Sequence, residues 1–177
     1  MRRFLNAVYT ASGALAAICL ASIAAVMLVQ AGMRTLGLLF RGADDIVSWL
    51  CAATAFLGLG ATFRRGELVR VGLLLDHLPP RTRRPAEIAS LGIALLFSGY
   101  MLYAVSRFVY ESWMFKEVAQ GLIQIPIWIP QLSFVIGVMV FFIAVLDDFL
   151  VLFTGGRPAY EVAEEERAAR RDLSESA

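Results

Sequence analysis

The sequence predicts an all-α membrane protein: four transmembrane helices with short interfacial amphipathic helices, and both termini in the cytoplasm. Three observations carry that prediction. The 177 residues are 59% hydrophobic, with a mean hydropathy of +0.69, where a soluble domain stands nearer half apolar. The apolar residues gather into four blocks, about 5–30, 46–63, 86–106 and 127–146, free of Asp, Glu, Lys and Arg except for Glu87 at the rim of the third. Each is close to the ~20 residues needed to cross ~30 Å of hydrocarbon. The basic residues are unevenly shared: with four spans, the N-terminus, the connection 64–85 and the tail carry twelve, and the other two connections carry four. Basic loops stay in the cytoplasm, which sets the orientation. The chain divides into a four-span membrane domain, 1–155, and a charged cytoplasmic tail, 156–177.

The first block follows Arg2 and Arg3 and resembles a secretory signal. Its apolar run of 26 residues far exceeds the ~7–15 of a signal core, so it reads as a retained span. Gly13, Ala17, Ala21 and Ala25 form a row of small residues at helical spacing, with Ser12, Ala16 and Ala24 beside it. Such rows let helix backbones approach closely in a solvent that gives apolar faces no reason to associate. The connection 31–45 carries Arg34 and Arg41 against Asp44 and Asp45. A pairing of Arg34 with one of the two acids across this short turn is expected. The second block ends in LGLGATFRR, where Arg64 and Arg65 stop it at the membrane surface. Cys19 and Cys51 lie inside apolar blocks and read as small buried hydrophobes.

The segment 68–78 is apolar but too short to span. Leu68, Val71, Leu75 and Leu78 share one helical side, and Arg70, Asp76 and His77 the other, where Val69 and Leu73 interrupt them. A helix that only lies on lipid shows a cleaner polar face. This one is expected to lie along the interface and also to touch protein through Val69 and Leu73. The third block carries Tyr100 and Tyr103 in its outer half, and the helix is expected to continue through an Arg107–Glu111 i,i+4 pair until Gly121. The fourth opens with IPIWIPQL. Pro126 and Pro130 suit a helix start, where the missing N–H is not needed, and Trp128 suits the aromatic belt at the membrane surface. Asp147 and Asp148 fall ~30 Å further on, at the opposite boundary, where they are expected to be hydrated. The tail reads as a solvated helix.

Chemistry is bounded by what the sequence lacks. One histidine cannot supply a bis-histidine haem, and no GxxxxGK[ST], GxSxG, HExxH or CxxC occurs. An ion-coupled carrier normally needs ionisable groups at mid-membrane, and the block centres offer Thr54 and a few serines. A net charge of +1 gives no nucleic-acid signal. The chain reads as a membrane scaffold, without enzymatic activity or cofactor, that works with another protein. A small homodimeric transporter and a membrane anchor of another complex are the alternatives.

From about 30 to 140 the chain resembles the small membrane subunit of tripartite ATP-independent periplasmic (TRAP) transporters. Arg34 stands where that family has an arginine after its first span. Asp44 and Asp45 stand at its acidic pair opening the second span. FLGLGATFRRGELVRV is similar to its span-two exit, with Gly66 in the turn after Arg64 and Arg65. GLIQIPIWIPQLSFVIG is similar to its span-four entry through Pro126, Trp128 and Pro130. Leu68 and Ala43 depart from it, replacing a common histidine and a frequent tryptophan. The resemblance implies a large multi-span subunit as partner, bearing the solute and ion sites and moving as an elevator, and a periplasmic solute-binding protein that delivers a carboxylate. It implies that this chain is the fixed scaffold in a bacterial inner membrane, contacting its partner and membrane lipids.

Overall fold

The computed structural model describes residues 2–65 and 80–154. They form four helices: α1 (Arg2–Thr35), α2 (Ala43–Arg64), α3 (Pro80–Met114) and α4 (Trp128–Phe153). All four are long and apolar enough to cross a membrane, as the four blocks predict. The expected interfacial helix 68–78, with Gly66, Val69 and Leu73, and the charged tail lie outside the described residues.

The helices run past their apolar blocks because leaving hydrocarbon does not by itself end a helix. α1 continues to Thr35 and closes at Gly37, whose φ of 73° a glycine adopts without penalty. α3 carries on through Arg107 and Glu111, which pair at 2.8 Å, and stops at Met114. The break comes from Lys116 in the left-handed region, φ 52°, not from Gly121.

The helices lie side by side in the order α1, α2, α4, α3. α1 packs on α2 and barely reaches α4, and α3 packs on α4. α2 and α4, in the middle, run parallel: Phe56 meets Phe134 at 4.8 Å between ring centroids, and Arg64 meets Asp147. The outer pairs are antiparallel, with Gln30 against Asp44, and Gly99 and Gly92 against Phe142 and Phe149.

In lipid this row is held by close packing rather than by water exclusion. At Gly137 a Cβ would run into the Phe56 carbonyl and stand 2.8 Å from Leu57 N, so the two central backbones touch there. At Gly60 a Cβ would come within 3.3 Å of the Val140 carbonyl carbon. Around this crossing Val138, Ala144 and Val145 are fully buried, and Phe63 meets Phe141 edge-on at 5.6 Å. α1 approaches α2 through Ser12, Gly13 and Ala16. The Ser12 hydroxyl donates to the Leu57 carbonyl at 2.6 Å, and a Cβ on Gly13 would stand 3.1 Å from that of Ala61. The contact therefore uses the flank of the expected small-residue row. Ala17, Ala21 and Ala25 face outward.

Candidate functional site

The residues of interest are the polar groups that set the row. They lie at the two ends of α2. Asp45 and Arg64 are nineteen residues apart, about 29 Å along a helix axis, one hydrocarbon thickness.

At the Asp45 end, Gly42 precedes α2 with φ 87°, and a side chain there would strike Ile123. Asp44 and Asp45 stand in the first turn of α2, where negative charge suits the helix dipole. One oxygen of Asp45 accepts the N–H groups of Leu122 and Ile123 at 2.8 and 3.2 Å. Asp44 accepts from the Gln30 amide at 3.3 Å. Any Cβ on Gly121 would collide with the Asp45 carboxylate, so glycine is needed for this approach. The loop that Asp45 grips is itself folded. Val118 and Pro126 form an antiparallel bridge, Ala119 N donates to Ile125 O at 2.9 Å, and Ile127 N donates to Glu117 O at 3.0 Å. Ser112, buried at the end of α3, donates to the Glu117 carboxylate at 2.8 Å. Trp128 then opens α4, with Pro130 in its first turn. Beside it Gln131 is buried, and its Oε1 has no partner.

The expected Arg34 pairing is corrected. Arg34 lies in the last turn of α1, exposed, and forms no ion pair with either acid. Their oxygens are taken by a backbone loop and by Gln30.

At the Arg64 end, the guanidinium bonds Asp147 at 2.7 Å and the Asn6 amide oxygen at 2.9 Å. It also covers the Tyr9 ring at 4.8 Å from the centroid, a favourable cation–π distance. One side chain thus joins α1, α2 and α4. The side chains of Arg64 and Asp147 are only 19% and 24% exposed, which makes the pair stronger than a surface one. The expectation that both acids are hydrated is corrected: Asp147 is paired, and Asp148 is buried. Arg65 caps α2, its N–H donating to Ala61 O at 3.1 Å.

Between these ends several hydroxyls of the apolar middle are spent on backbone carbonyls. Thr54 donates to Leu50 O, Ser98 to Leu95 O, Ser22 to Ile18 O and Ser133 to Pro130 O. Of the residues named from the sequence, Asp44, Asp45 and Arg64 make the contacts just described, and Pro126, Trp128 and Pro130 stand at the loop-to-helix entry. Asn6, Tyr9, Gln30 and Glu117 went unforeseen. Their signal was faint: isolated polar residues at the edges of apolar runs.

A family model described as tripartite ATP-independent periplasmic transporters, DctQ component, matches residues 23–155, more than half of the chain. A search among curated proteins gave no match.

Proposed function

The chain belongs to the DctQ component family of tripartite ATP-independent periplasmic transporters, and from that membership we propose that it is the fixed scaffold beside a large multi-span subunit. That subunit carries the solute and ion sites, and a periplasmic solute-binding protein delivers a carboxylate to it. The proposal includes a bacterial inner membrane and a cytoplasmic Arg64 end.

One observation carries the reading. The clamps at Asp45 and at Arg64–Asp147 lie at two levels about 29 Å apart, joined by α2, and between them the hydroxyls of Ser12, Thr54 and Ser98 bond backbone carbonyls. A carrier needs ionisable or polar groups at mid-depth. A scaffold needs a body that neither deforms nor changes depth. The Arg64–Asp147 clamp and the Asp45–loop clamp resist both, since moving either toward the membrane centre costs ~2.5–3.5 kcal/mol per charge on insertion scales.

Co-expression with the large hydrophobic protein encoded beside it, followed by purification through a tag on this chain, tests the reading. We expect a stoichiometric complex. Vesicles holding the complex plus the binding protein should accumulate an organic acid, and vesicles holding this chain alone should not. Uptake by the chain alone, or failure to retain any large membrane partner, would overturn it.

A further inference from the structure

We draw no further inference here: the strongest candidate, the exposed Arg107–Glu111 pair on the outward side of α3, lies near the level of Phe134 and Phe56, midway between the two clamps, and nothing in the structure shows what covers it.

Discussion

Arg64 meets three groups on two other helices: Asp147 on α4, and Asn6 and Tyr9 on α1. Removing it leaves the Asp147 carboxylate partly buried with its cation gone, which costs more than the pair contributes. Arg64→Ala should lower stability by about 2–3 kcal/mol. The swap Arg64→Asp with Asp147→Arg should recover part of the loss seen in Arg64→Asp alone, less the Asn6 and Tyr9 contacts. Thermal unfolding of the purified chain in detergent measures both, and a single variant as stable as the parent would refute the clamp. Little of this was legible in the sequence. Hydropathy gives the depth of a side chain and not the direction it points, and Arg64 and Asp147 are separated by 83 residues. The same blindness produced the Arg34 expectation. Arg34 and Asp45 are close along the chain, but α1 stays helical to Thr35 and leaves Arg34 exposed, while Asp45 turns to a loop 77 residues away.

Among the elements, the parallel pair of α2 and α4 determines the rest, and its closest approach is at Gly137. A side chain there would have to displace the Phe56 carbonyl, which is helix backbone and cannot swing aside. Gly137→Leu should separate the central helices and destabilise by about 1–3 kcal/mol or more, as overpacking does. A Cβ added at Gly32, in α1, would meet nothing within 4 Å, so Gly32→Ala should be neutral or stabilise by about 0.5–1 kcal/mol through helix propensity. Unfolding midpoints of the two variants should move apart, and a tolerated Gly137→Leu would refute the contact. The existence of four helices was legible because long charge-free runs have few other fates. Their ends were less so: α3 crosses Arg107 and Glu111 as helix because that pair closes over one turn, and no residue before Lys116 interrupts it. The small-residue face makes its contact through Ser12, Gly13 and Ala16 and leaves Ala17, Ala21 and Ala25 outward, since spacing identifies a face and packing alone selects which part of it is used.

At the scale of the whole molecule, the four described helices form a row with two faces and two edges, unlike a closed bundle. α4 is the most buried of the four and α1 and α3 the least, so a row of this kind widens whatever it joins. That suits a member of a transporter component family whose proposed task is to hold position. Holding position depends on the orientation of the charges, which is open to direct measurement. Basic residues gather on the connection after Arg64 and on both termini, and the positive-inside rule assigns that side to the cytoplasm. With Cys19 and Cys51 replaced by alanine, single cysteines at Arg41 and Leu122, both exposed at the Asp45 end, should react with a membrane-impermeant maleimide in intact spheroplasts. Thr154→Cys, exposed at the other end, should react only after the membrane is opened. The reverse pattern would turn the chain over and place the Asp45-gripped loop in the cytoplasm, where a periplasmic binding protein could not reach it. The labelling experiment therefore tests the orientation and the proposed tripartite arrangement together.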